Sequence, residues 1–133
     1  MIKEKVGYDI LVIDDDAFLL DMYAMKFTQK GFHVTSSGGT LASLELLRGG
    51  LKPAVLVVDL VMPAMDGFEF LEVVRKEELA KDALVIVLSN LGEQEDVDRA
   101  LKLGAAGYII KASATPSEVV EKVQDAMERN KQK

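Results

Sequence analysis

The chain has no cysteine, one histidine, and no apolar run near the roughly 18–20 residues of a membrane span. The absence of cysteine rules out a disulfide framework and thiolate ligands, and fits a reducing compartment. The opening Met1-Ile2-Lys3-Glu4-Lys5 holds no apolar signal core. Basic residues are few and scattered, 16 against 22 acidic for a net charge of −6. A nucleic-acid face on this segment is therefore not expected, since such faces need clustered Lys and Arg. No low-complexity tract, internal repeat or Pro/Ser-rich linker divides the sequence. Gly38-Gly39 is not followed by Gly-Lys-Ser/Thr, so no phosphate-binding P-loop is indicated. The expectation is a cytoplasmic protein with no membrane partner. Its 133 residues form one domain with a core over about residues 8–128 and short polar tails.

What is present is a set of apolar runs, each ending in polar chemistry. Ile10-Leu11-Val12-Ile13 ends in Asp14-Asp15-Asp16, and Val55-Leu56-Val57-Val58 in Asp59, followed by Met62-Pro63 and Asp66-Gly67. Leu84 to Leu88 ends in Ser89, and Tyr108-Ile109-Ile110 in Lys111. Short branched apolar runs read as strands buried on both faces of a parallel sheet. In such sheets ligands bind beyond the carboxyl ends of the strands, where strand order reverses.

Helical spacing fills the intervals. Ala17, Leu20, Ala24 and Phe27 predict a first helix stopped by Gly31; Leu41, Leu44 and Leu47 a second, ending at Gly49-Gly50. Phe70, Val73 and Val74 predict a third after Gly67. Val97, Ala100 and Leu101 predict a fourth, with an acidic first turn and Gly104 as its stop. Thr115-Pro116-Ser117-Glu118 is a capping box opening a fifth, whose inward stripe is Val119, Val123, Ala126 and Met127. Phe32 to Ser36 alternates weakly, as an edge strand would, with His33 toward solvent and away from any strand end. Met22, Met25, Met62, Met65 and Met127 read as packing residues. The sum is a doubly wound (βα)₅ fold with strand order 2-1-3-4-5.

That order makes the first and third strands neighbours, so Asp14, Asp15 and Asp59 converge, with Ser89 and Lys111 on the same rim. Three carboxylates in one crevice repel unless a cation joins them. With oxygen ligands only, and room left for water, the expected cation is Mg²⁺. Asp59 stands alone at its strand end and is the natural nucleophile toward phosphorus. Metal, ammonium and hydroxyl would stabilise charge on the phosphoryl oxygens. Asp16 reads as a helix cap.

With those residues in order, the chain resembles the CheY-like receiver domains of two-component response regulators, over essentially its whole length. The resemblance implies that Asp59 accepts a phosphoryl group from a sensor histidine kinase, a histidine phosphotransfer protein or a small acyl phosphate. It implies Mg²⁺ (or Mn²⁺) held by Asp15, Asp59 and the Val61 carbonyl, with Asp14 acting mainly through water. Ser89 and Lys111 would bind the phosphate. Tyr108 would move inward and remodel the face of helix 4, strand 5 and helix 5, which could serve an output protein, a missing C-terminal effector domain or a homodimer. Such a domain signals and is not an enzyme in the ordinary sense.

Two positions depart from the pattern. Pro usually follows the lysine through a cis bond; here Ala112 follows. A cis bond before a non-proline costs roughly 3–4 kcal/mol, so a trans Lys111–Ala112 bond with an altered loop is expected. Position 90 is usually small, and Asn90 would narrow access to the phosphate. Val61 and Leu91 offer no partner to an attacking water, which implies a long-lived phosphoryl group. Two rival readings remain. A haloacid-dehalogenase-type phosphatase would use Asp14-x-Asp16, Ser89 and Lys111, but it needs a further acidic pair after a later strand. A pseudo-receiver would keep the fold without taking phosphate.

Overall fold

The computed structural model describes residues 7–131. Expectations on Met1 to Lys5, and on Gln132 and Lys133, lie outside them. Five strands, β1 (Asp9–Ile13), β2 (His33–Ser37), β3 (Val55–Val58), β4 (Leu84–Ser89) and β5 (Ala105–Ile110), alternate with α1 (Ala17–Gln29), α2 (Thr40–Arg48), α3 (Gly67–Lys76), α4 (Gln94–Lys102) and α5 (Pro116–Lys131). All strand pairings are parallel, in the order β2-β1-β3-β4-β5.

Strand periodicity explains the two cores. Ile10, Val12, Val55, Val57, Ile86 and Leu88 point to one face, against Tyr23 and Phe27 of α1 and Val119 and Val123 of α5. Leu11, Ile13, Leu56, Val58 and Val87 point to the other, against Leu44, Phe70, Leu71 and Ala100 of α2, α3 and α4. Both faces are covered, so the inner strands β1, β3 and β4 are apolar at successive positions rather than at alternate ones. Each fully buried Leu, Ile or Val contributes about 1.5–3 kcal/mol relative to exposure.

Local signals also hold. Gly31, Gly50 and Gly104 have φ of 94°, 111° and 100°, the left-handed backbone that ends a helix without a Cβ clash. Asp16 caps α1, its carboxylate accepting from Leu19 N–H at 3.1 Å. Thr115 and Glu118 exchange the two bonds of a capping box at 3.1 and 2.8 Å. His33 is exposed on edge strand β2.

Four helix positions differ from expectation. Leu41 is 53% exposed, because the inward slots of the first turn of α2 belong to hydroxyls. Thr40 Oγ1 donates to the Met65 carbonyl at 2.6 Å and Ser43 Oγ to the Gly39 carbonyl at 2.7 Å. Ala17 and Leu101 are exposed, the core face starting at Leu20 in α1 and taking Ala100 in α4. Met25 is exposed too, so it is not a packing residue. Tyr23, which the sequence reading passed over, is 2% exposed and completes the Leu20–Tyr23–Phe27 stripe. Among the described residues no helix is long and apolar enough to cross a membrane.

Candidate functional site

Register builds the site. Ile13 of β1 pairs with Val58 of β3, so Asp14 and Asp59 leave the sheet side by side. The Asp59 N–H donates to the Ile13 carbonyl at 3.2 Å, and the Asp14 N–H to the Ser37 carbonyl at 3.1 Å, extending the ladder into the acidic turn. On the other flank Ser89 pairs with Ile110, which places Lys111 immediately beyond it. Strand pairing alone thus gathers the groups.

Carboxylate oxygens of Asp14, Asp15 and Asp59 lie within 4.8 Å of one another. Asp14 and Asp59 are buried and Asp15 is exposed. Lys111 Nζ reaches between the buried pair, 2.8 Å from Asp59 Oδ2 and 2.8 Å from Asp14 Oδ2. Only the Asp59 contact is aligned as a hydrogen bond; the Asp14 contact is a close ion pair, leaving Asp14 Oδ2 buried without a hydrogen-bond donor. Asp14 Oδ1 accepts from Asp16 N–H at 2.9 Å, and Asp59 Oδ1 from Val61 N–H at 3.1 Å.

The electrostatics follow. Burial pushes the Asp14 pKa up, and the adjacent Lys111 ammonium and the Asp16 N–H only partly offset it. Burial alone would lower the Lys111 pKa, but its two carboxylates reverse this and raise it, so the ammonium is fixed. One fixed ammonium against three acidic side chains leaves the cluster short of positive charge. Three carboxylate side chains sharing one ammonium, with Asp15 still exposed, fit an oxygen-ligated divalent cation.

Neighbouring loops hold these groups in place. Asp66 and Glu69 form a capping box at the start of α3, and Gly67 N–H donates to the Leu60 carbonyl at 2.9 Å. A Cβ on Gly67 would collide with the Asp59 carbonyl and sit 2.7 Å from Leu60 Cα, so only glycine lets α3 pack beneath the aspartate. The β4–α4 loop is fixed as well. Leu91 N–H donates to the buried Ser89 Oγ at 3.3 Å, and Tyr108 Oη donates to the Leu91 carbonyl at 2.6 Å. Partial burial raises the Tyr108 pKa, so the phenol remains a donor.

Residues 10–124 match the sequence profile of the response regulator receiver domain. The chain belongs to that family. Receivers are signalling domains of two-component systems. Among curated relatives, the chain is 29% identical over 120 residues to the phosphate regulon transcriptional regulatory protein PhoB of Klebsiella pneumoniae, covering 90% of this chain and 52% of that protein. It is 37% identical over 107 residues to the two-component response regulator ORR24 of Oryza sativa, covering 80% of this chain and 17% of that protein. The chain thus spans about half the first relative's length and far less of the second's. Among solved structures, a receiver domain of the Francisella response regulator 1452 superposes with a TM-score of 0.81 at 28% identity, covering 93% and 99% of the two chains. A CheY-like receiver domain protein of Methanospirillum hungatei superposes at 0.83 and 24% identity, covering 96% and 99%, and shares the fold.

The receiver's departures are visible in the same geometry. Among the described residues no peptide bond is cis, so the Lys111–Ala112 bond is trans, as expected. A short 3₁₀ turn, Lys111–Ser113, follows β5 directly. Ala112 N–H donates to Asn90 Oδ1 at 2.8 Å, a contact the sequence reading did not foresee although it singled out both residues. Val61 is 57% exposed beside Asp59, and Leu91 is half-buried. The buried tie from Thr40 to the loop after Asp59 was also missed. Its only signal was a hydroxyl residue just before Leu41.

Proposed function

We propose that this receiver accepts a phosphoryl group on Asp59 from a phosphohistidine of a sensor histidine kinase or phosphotransfer protein, or from a small acyl phosphate. The observation that carries the reading is Lys111 Nζ lying 2.8 Å from both Asp14 Oδ2 and Asp59 Oδ2 beside the exposed Asp15. An Asp59 carboxylate oxygen attacks phosphorus, the donor's bond to phosphorus breaks, and its leaving group departs with the electron pair. Lys111 and the Ser89 hydroxyl stabilise the transferring oxygens. Asp15, Asp59 and the Val61 carbonyl would hold Mg²⁺, or Mn²⁺ in its place, with Asp14 acting through water. The ion would neutralise charge on the phosphoryl group.

The dianion then biases the surface around Tyr108, as charge-adding modifications do. Movement of Ser89 toward it would pull the Leu91 carbonyl, and the tyrosine bonded there, along with the loop. The remodelled face of α4, β5 and α5 would engage an output protein, an effector domain in a longer regulator, or a second copy of the chain.

Incubation with acetyl phosphate and Mg²⁺, followed by intact-mass measurement, is expected to add one phosphoryl group to the wild type and none to Asp59→Asn. An unlabelled wild type makes the chain a pseudo-receiver. Catalytic turnover of a generic phosphomonoester, without label at Asp59, favours the phosphatase reading.

Lifetime is a separate expectation. With Val61 and Leu91 offering an attacking water no hydrogen bond, and Asn90 at the pocket mouth, the label should persist for minutes after donor removal with Mg²⁺ present. Loss within seconds refutes this.

A further inference from the structure

Asn90 and Ala112 are the two departures from the receiver pattern at this pocket, and they meet. The donor is the main-chain N–H of Ala112, so the Asn90 amide must present its oxygen, and the two atoms are 2.8 Å apart. A proline at 112 would have no such donor, and a small residue at 90 would have no such acceptor. Each substitution makes sense of the other.

The bond lies where the sheet stops. Ser89 and Ile110 are the last register partners of β4 and β5, and beyond them no ladder holds the two chains. Asn90 directly follows the buried Ser89, and Ala112 directly follows Lys111. The side chain therefore carries the β4–β5 connection one step past the strand ends. One residue on, the Leu91 carbonyl is held by Tyr108 Oη at 2.6 Å. The loop that follows the hydroxyl is thus tied on both sides of the ammonium, to β5 at Tyr108 and to the 3₁₀ turn after it at Ala112.

We propose that Asn90 is a positioning residue, which holds the Ser89 hydroxyl and the Lys111 ammonium at a fixed separation around Asp59 and so preorganises them for the incoming phosphoryl group. It does so through one bond, from the Ala112 N–H to Asn90 Oδ1, past the end of the strand ladder. The inference rests on the phosphoacceptor reading of Asp59. Small displacements of donors at a reacting centre carry large rate effects, so one tether can matter.

The test uses the full chain, acetyl phosphate and Mg²⁺, with intact mass followed against time. Asn90→Ala is expected to lower the maximal labelling rate about tenfold, while the half-saturating Mg²⁺ concentration stays within twofold. Ala112→Pro removes the same bond from the donor side and should slow labelling similarly. The double variant should be no slower than the slower single one, because both delete one interaction. Independently of phosphorylation, the Ala112 amide should be protected from hydrogen exchange in the wild type and lose that protection in Asn90→Ala. Wild-type labelling by Asn90→Ala, fully additive losses in the double variant, or unchanged exchange at Ala112 each overturn the proposal. A wild type that takes no label at all is a different result, which defeats the phosphoacceptor reading first and the positioning role with it.

Discussion

Lys111→Met is expected to destabilise the metal-free protein at pH 7 by roughly 3–5 kcal/mol, the usual cost of removing one partner of a buried ion pair. The side chains of Lys111, Asp14 and Asp59 are 10%, 1% and 7% exposed, so water cannot take over the screening the ammonium provides. Denaturant unfolding in a chelator should show a lower midpoint with an unchanged slope. The pH dependence distinguishes this cause from lost packing. The Asp14 pKa is already above its ordinary value with the ammonium present, and it rises further without it. A carboxyl with a raised folded pKa binds more protons folded than unfolded, so its burial penalty is relieved as pH falls through the folded pKa toward about 3.9. The variant should therefore recover stability relative to wild type as pH falls from neutral toward the ordinary carboxylate range. At the alkaline end the sign reverses. The raised Lys111 pKa stabilises the wild type fully below about 10.4, and that contribution is lost as pH rises past this value toward the higher folded one. The gap between the two proteins should narrow there. A variant as stable as wild type at pH 7, or one with a pH-independent deficit, would show that the ammonium does not balance the buried carboxylates.

Strand pairing explains why this site could be read from the chain and its neighbouring loops could not. Asp14, Asp59, Ser89 and Lys111 each follow a branched apolar run directly, and parallel pairing converts that position into proximity without further information. Ile13 beside Val58, and Ser89 beside Ile110, do the positioning. The glycine stops at 31, 50 and 104 were legible for a similar reason, since a left-handed residue after a helix is a local requirement. Leu41 failed because spacing ranks an apolar residue above a hydroxyl, whereas the true inward positions were occupied by Thr40, whose hydroxyl bonds the Met65 carbonyl on a distant loop, and by Ser43, whose hydroxyl bonds back to the Gly39 carbonyl at the helix cap. Tyr23 failed differently. Its burial depends on α5 packing across α1, a contact between segments about a hundred residues apart. The Asn90–Ala112 bond is the clearest case. Each residue stood out as a departure from the receiver pattern, but their pairing depends on how the chain leaves two adjacent strands.

Asp15→Asn should separate ion binding from fold stability, since Asp15 is the exposed member of a cluster whose other two carboxylates are buried. In the absence of metal the substitution is expected to raise the unfolding midpoint rather than lower it, because it removes one of three mutually repelling carboxylates. Any ligand that binds only the folded state stabilises it by RT ln(1 + [L]/Kd), about 2.7 kcal/mol at a hundredfold excess over the dissociation constant. At that Mg²⁺ concentration the wild type should gain this amount. If losing one carboxylate weakens affinity about a hundredfold, the same concentration equals the variant's dissociation constant, and the gain falls to about 0.4 kcal/mol. Labelling by acetyl phosphate at that concentration should fall by at least the loss of occupancy, and further if the ion also acts in the transferring state. The stability measurement needs no phosphoryl chemistry, so it judges the cation site alone. Equal Mg²⁺ stabilisation of wild type and variant would place the ion away from Asp15. An absence of stabilisation in both would leave Lys111 as the cluster's counter-charge and remove the divalent ion from the reading of the pocket.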